Sequence, residues 1–208
     1  MPTGMEPIIL ASSSPRRREL LENAGIPFEP FAPEIDEAEC DGFPPADRVI
    51  ALAKEKALAA GSSFPSPLRF ALAADTMVCL PSADADFGEL ALGKPLDAED
   101  ARRMLRLLSG RTHFVRTGIA LLDREKGSVR TSRSDSAIRF AEMSDDEIGF
   151  CLDSGEWMGV AGAYRIQGLG AFFIDRIEGS WSGVVGLPMR ELYVILLDAG
   201  IRLPSPAS

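Results

Sequence analysis

Cysteine is scarce in this 208-residue chain, histidine scarcer still, and no apolar run is long. The three cysteines, Cys40, Cys79 and Cys151, are far apart, odd in number and in no C-x-x-C pair. That argues against a disulfide framework and against a zinc site built on paired thiolates. The single histidine, His113, excludes a two-histidine metal centre within one chain and is read as structural. Nothing approaches the roughly 18 apolar residues of a membrane span. Met1 to Pro7 lacks a basic region followed by a long apolar one, so no signal peptide is expected and a reducing cytoplasm is the expected setting. Positive charge is in deficit: the net charge is −9 and the pI is near 4.7. A DNA or RNA polymer is therefore not expected as the main partner, whereas a small anion stays open if the few basic residues converge. Three signatures are missing: the phosphate-binding G-x-x-x-x-G-K-[ST] loop, a dinucleotide-binding G-x-G-x-x-G between strand and helix, and the G-x-S-x-G nucleophile elbow.

What is present is the balance of a folded domain, 46% hydrophobic and 25% charged, long enough for one α/β core or two lobes sharing a cleft. Ile8 to Ala11 reads as a buried strand running into Ser12-Ser13-Ser14-Pro15, with Ser14 as N-cap, Pro15 at the first helical position and Gly25 as the stop. Phe28 to Ile35 reads as extended, and Pro44 to Ala60 as a helix ended by Gly61. Leu68 to Leu80 is a long apolar run, broken only by Asp75-Thr76, that reads as a central strand, followed by a polar loop over Pro81 to Glu89. Asp97 to Ser109 is an amphipathic helix with Ala101, Met104, Leu105 and Leu108 inward. Phe114 to Leu122 and Ser136 to Ala141 read as strands. Ser144 and Glu147 form a capping box for a helix to about Ser154. Beyond it come a strand at Ala171 to Ile177, a last helix over Pro188 to Ala199, and a frayed tail from Leu203 to Ser208. This alternation predicts a single α/β domain over 1–208 with a mixed, twisted sheet and flanking helices.

Five places are candidates for chemistry. The turn at Ser12 to Arg18 offers a helix N-terminus, two hydroxyls (Ser12, Ser14) and two guanidinium forks (Arg16, Arg17), a set that suits phosphate oxygens. Cations in a first helical turn oppose the macrodipole, so local helix stability does not select them; a solvated basic helix start beside a routine cap is the competing reading. Lys56 falls within the apolar stripe marked by Val49, Leu52, Ala53 and Ala60, whereas Lys54 lies off it. An inward lysine either meets an anion or snorkels out. Asp75 interrupts the apolar run of a core strand, where a carboxylate costs several kcal/mol or more unless it is paired or holds a metal; a structural ion pair, or a turn in place of the strand, is the competing reading. Glu34, Asp36 and Glu37 form an acidic cluster, one member of which could complete a hard-cation site for Mg²⁺ or Mn²⁺ with Asp75; a solvated acidic loop is the alternative. Lys94 sits on the tight Gly93-Lys94-Pro95 turn, which fixes where its ammonium points; a simple loop lysine is the competing reading.

These segments together resemble the Maf family of nucleoside triphosphate pyrophosphatases. The likeness rests on Leu10-Ala11-Ser12-Ser13-Ser14-Pro15-Arg16-Arg17, Glu34-Ile35-Asp36-Glu37, Ala53-Lys54-Glu55-Lys56-Ala57, Ala74-Asp75-Thr76 and Gly93-Lys94-Pro95. It continues through Ser109-Gly110-Arg111-Thr112-His113, Ala161-Gly162-Ala163-Tyr164-Arg165-Ile166-Gln167-Gly168 and Val185-Gly186-Leu187-Pro188, in the family order over nearly the whole chain. The resemblance implies two lobes around a central active-site cleft, commonly in a homodimer. It implies Asp75 as catalytic base and, with Glu37, as holder of a divalent metal (Mg²⁺ or Mn²⁺). Ser12, Ser14, Arg16, Arg17, Lys56 and Lys94 would then contact the substrate phosphates.

The resemblance also speaks to the base. The subgroup acting on dTTP and UTP has Arg, Thr and Gln where this chain has Arg16, Thr76 and Gln167. The subgroup acting on 7-methyl-GTP has Trp, Gln and Glu there. A glutamine can donate to and accept from a uracil or thymine edge, while a carboxylate would attract the cationic methylated guanine. The expectation is a pyrophosphatase for dTTP, UTP and modified pyrimidine nucleotides. The rivals are a 7-methyl-GTP or purine enzyme and a nucleotide-binding regulator of septum formation with little turnover. Two departures stand out: Val160 where the family usually has Lys, and Ala73 where Gly is common.

Overall fold

The computed structural model describes residues 5–203. The expected tail, past Leu203, lies outside them, as do the first residues of the Met1 to Pro7 segment. In chain order the elements are β1 (Ile8–Leu10), α1 (Pro15–Asn23), β2 (Phe28–Pro30), α2 (Pro45–Ser63), β3 (Phe70–Pro81), β4 (Glu89–Leu92), α3 (Ala98–Leu108), β5 (Thr112–Asp123), β6 (Ser128–Phe140), α4 (Asp145–Asp153), β7 (Ile174–Glu178), α5 (Trp181–Val185) and α6 (Met189–Asp198). The strands form one seven-stranded sheet in the order β2-β1-β3-β5-β6-β7, with β4 on β3. It is mixed: β1 runs parallel to β2 and β3, whereas β4 is antiparallel to β3 and β7 to β6. The expected α/β class with flanking helices is the one found.

The chain separates into two compact units, one of residues 1–75, 117–133 and 186–208, the other of 76–116 and 134–185. In the first, period-two alternation sorts the strand residues onto two faces. Ile8, Leu10, Leu72, Ala74, Ile119 and Leu121 pack with Leu21 of α1 and with Leu192, Ile195 and Leu196 of α6. The opposite face, with Ile9, Ala11, Ala71, Ala73 and Ala120, packs against Ala53, Ala57 and Ala60 of α2. Small residues on both sides bring that helix close. Gly118 of β5 lies so near the α2 backbone that a Cβ there would stand 2.4 Å from the Val49 carbonyl oxygen. The second unit buries the expected α3 stripe, Ala101, Met104, Leu105 and Leu108, and Ile148 and Cys151 of α4. His113, Phe140 and Tyr164 meet there edge to face.

Several local expectations need correction. Gly61 does not end α2, which continues to Ser63; a Cβ on it would meet Leu122 Cδ2 at 2.2 Å, so this glycine serves close helix–strand packing. The expected central strand is β3, and it passes through Asp75 as read. Beyond Pro30 the chain leaves the sheet, so β2 is shorter than the expected extended run. The polar loop after β3 holds a 3-10 turn at Asp86–Gly88 and gives way to β4, too short to display alternation. β6 begins at Ser128, in a polar Ser/Arg/Thr stretch without an apolar pattern. Leu169–Phe173 forms a 3-10 turn, and only Ile174–Glu178 is strand. The capping box is present as expected, with the Ser144 hydroxyl and the Glu147 carboxylate each meeting the other's backbone N–H. The three cysteines are free and buried, and burial pushes the Cys79 thiol up to about 12. No described helix is long and apolar enough to cross a membrane.

Candidate active site

Parity places Asp75. It follows Ala71 and Ala73 at two-residue intervals, so its side chain leaves the sheet on the face covered by α2. Helical periodicity brings Lys56 to the same face from above. The two meet: Lys56 Nζ donates to Asp75 Oδ1 at 2.7 Å and lies 2.8 Å from Glu37 Oε1. Lys56 does not snorkel away; its side chain is 17% exposed and that of Asp75 14%. The acidic cluster divides by role. Asp36 accepts the Ala38 N–H and so caps the 3-10 turn Glu37–Cys40, while Glu37 reaches the lysine. Glu34 is exposed.

The strand-to-helix turn also differs from a simple cap. Ser14 occupies the N-cap position with extended backbone, yet its hydroxyl makes no capping bond. Ser12, only 7% exposed, takes the central part: its Oγ accepts from the Ser14 N–H at 3.2 Å and from Arg17 Nη1 at 3.0 Å. Arg17 Nε donates to the Gly186 carbonyl at 2.8 Å. Sequence pattern gives no sign of that carbonyl's part, although Gly186 lies in the Val185-Gly186-Leu187-Pro188 segment. Its positive φ of 124° suits glycine. Burial pulls the Arg17 guanidinium down to about 10, with Asp75 opposing and Arg16 adding to the effect, and it remains cationic at neutral pH. Ser12, Arg17, Glu37, Lys56 and Asp75 thus belong to the first unit, as do Ser14 and Arg16 at the start of α1.

The second unit carries Thr76, Lys94 and Gln167. Backbone ties link the segments that bear them. The Gly162 N–H donates to the Gly93 carbonyl beside Lys94 at 3.1 Å, and Gly162 packs on Val78, two residues from Thr76. Lys94 and Gln167 are exposed, Thr76 half-buried. Val160, at the departure from the family pattern, is buried. His113 takes no part in either set: its Nε2 shares a 2.8 Å hydrogen bond with the Tyr164 hydroxyl, and burial lowers its pKa to about 4.

The donor set bears on the implied metal. Among the described residues no group of three or more His, Cys, Asp or Glu side chains is arranged to hold an ion. Two carboxylates, Glu37 and Asp75, converge on the Lys56 ammonium. All-oxygen coordination by two carboxylates, completed by water and substrate phosphates, is the usual mode for Mg²⁺. The residues present therefore fit an ion that arrives with a phosphate ligand, not a cage preformed by protein alone.

A family profile described as Maf-like protein matches residues 7–199. Curated relatives match over almost the full length. The dTTP/UTP pyrophosphatase of Treponema denticola is 40% identical over 96% of this chain and 100% of its own. That of Chromobacterium violaceum is 45% identical over 98% and 100%. That of a Shewanella species is 44% identical over 94% and 99%. A solved structure of a nucleoside-triphosphatase / dITP/XTP pyrophosphatase from Mycobacterium abscessus aligns with a TM-score of 0.38 at 20% identity, covering 66% of this chain and 76% of that one, too loosely to bear on fold or function.

Proposed function

This chain belongs to the Maf family, and on that premise we propose that it hydrolyses dTTP and UTP to the nucleoside monophosphate and pyrophosphate with the help of a divalent cation. The observation that carries the reading is the Lys56–Asp75 pair on the α2 face of β3, in the same unit as the Ser12–Arg17 turn. Asp75 accepts a proton from a water whose oxygen attacks the α-phosphorus. The bond from that phosphorus to the bridging oxygen breaks, and pyrophosphate leaves with the electron pair. Charge develops on phosphate oxygens during this step, and the Arg16, Arg17, Lys56 and Lys94 cations lower its energy by electrostatic attraction. Ser12 and Ser14 offer hydroxyls to the same oxygens. Glu37 and Asp75 would hold a Mg²⁺ or Mn²⁺ ion, which when bound neutralises phosphate charge.

Base preference rests on Arg16, Thr76 and Gln167, the set that the pyrimidine subgroup carries. A neutral amide at Gln167 matches the alternating donor and acceptor edge of uracil and thymine. Family likeness also carries the homodimer expectation, which light scattering in solution tests.

The decisive experiment measures pyrophosphate release from dTTP, UTP, CTP, GTP and 7-methyl-GTP with Mg²⁺, with Mn²⁺ and with EDTA. Fast, EDTA-sensitive release from dTTP and UTP is the expected result. Release mainly from 7-methyl-GTP would keep the reaction and remove the pyrimidine assignment. Binding without release from any nucleotide would favour a regulatory protein.

A further inference from the structure

We propose that Glu156 is a positioning residue for base selection, holding the turn that presents Gln167; this rests on Gln167 reading the base. Glu156 Oε2 accepts the Leu169 N–H at 2.8 Å. A Cβ on Gly168 would lie 2.1 Å from that same oxygen, so the carboxylate fills the space that any side chain at 168 would need. Gln167 therefore sits immediately before a backbone segment clamped by Glu156. The turn is closed from within as well: the Gly168 N–H donates to the Arg165 carbonyl at 3.2 Å, and the Ala171 N–H to the Gly168 carbonyl at 3.1 Å.

The clamp has a rigid base. The Glu156 N–H donates to Ser154 Oγ at 3.1 Å, and that hydroxyl donates to the Cys151 carbonyl at 2.7 Å. Next to it, Trp157 Nε1 donates to the Leu152 carbonyl at 3.0 Å. Three successive links thus run from the C-terminal end of α4 through Glu156 to the residues after Gln167, all within the second unit. Gln167 is exposed, so the turn that bears it is what mainly sets where its amide stands. An amide on a loose turn must be ordered each time a base binds, and that cost falls on the base that the amide recognises. Glu156 acts through the turn and does not itself touch the nucleotide.

The test is steady-state kinetics of Glu156→Ala, Glu156→Gln and Gln167→Glu with dTTP and GTP, alongside thermal melting. Losing one backbone hydrogen bond raises the dTTP KM of Glu156→Ala about three- to tenfold and lowers the dTTP-to-GTP ratio of kcat/KM by a like factor, with kcat little changed. Glu156→Gln, whose amide oxygen can still accept the Leu169 N–H, retains the parent ratio. An unchanged ratio in Glu156→Ala, while Gln167→Glu alters it, overturns the proposal and leaves the reading of Gln167 standing. Equal losses for both nucleotides, or equal losses in both Glu156 variants, also overturn it. If Gln167→Glu leaves the ratio unmoved, the base-reading role fails first and the Glu156 role with it.

Discussion

Lys56 and Asp75, nineteen residues apart, meet at 2.7 Å where one face of α2 crosses one face of β3. A half-buried strand carboxylate and a half-buried helix ammonium each supply what the other loses on leaving water. Glu37 joins from the loop side, so a second carboxylate faces the same ammonium. The group proposed to accept the proton is therefore held by a cation that is itself proposed to meet phosphate oxygens.

Asp75→Asn keeps the shape of the side chain and removes the proton acceptor. Turnover falls by about two to four orders of magnitude while the melting transition stays cooperative. Pyrophosphate release and a thermal melt on the same preparation check both halves, and a folded variant with parent turnover would take Asp75 out of the mechanism.

Lys56→Met leaves two converging carboxylates without their ammonium and destabilises the fold by about 1–3 kcal/mol. Combining it with Asp75→Asn recovers part of that loss, because the unpaired strand charge has gone. Urea unfolding of the two single variants and the double variant measures the coupling; strict additivity would mean the pair contributes nothing to stability.

Gly118→Ala tests how closely α2 approaches the sheet. The added methyl would stand 2.4 Å from the Val49 carbonyl oxygen and 2.7 Å from the Ile50 nitrogen, both backbone atoms that cannot rotate away. Destabilisation of about 1–3 kcal/mol or more is expected from the forced separation of helix and strand. Because α2 carries Lys56, kcat should fall as well in whatever fraction remains folded.

His113 makes stability depend on pH in a known direction. Buried and lowered to about 4, it stays neutral in the folded protein where the unfolded chain, titrating near 6.5, takes up a proton. Its contribution is whole above pH about 6.5, declines as pH falls towards 4 and is constant below, a change on the order of 3 kcal/mol. His113→Phe retains the ring packing with Phe140 and Tyr164 but cannot titrate. The unfolding free energy of the parent minus that of the variant should therefore fall as pH goes from 7 to 4.5, and a constant difference would contradict the buried neutral state.

Much of this molecule is written in short-range pattern. Apolar runs bounded by helix-start and turn residues marked β1 and β3, and the 3.6-residue period gave the buried stripe of α3. The Ser144/Glu147 spacing gave a real capping box, and the same local arithmetic placed Lys56 inward and Asp75 within a strand. Such patterns report which way a side chain leaves the backbone and how much it costs to bury. They do not report what it meets. That Lys56 chooses both Asp75 and Glu37, that Ser12 and not Ser14 organises the first turn, and that Arg17 reaches a carbonyl 169 residues away were decided by tertiary structure. Gly61 illustrates the same limit: a glycine late in a helix looks like a stop until Leu122 arrives against it. The physical reason is common to all of these. Propensity and periodicity act between residues a turn or two apart, whereas the partner of a charge or the neighbour of a glycine is set by how strand register and helix placement bring distant segments together.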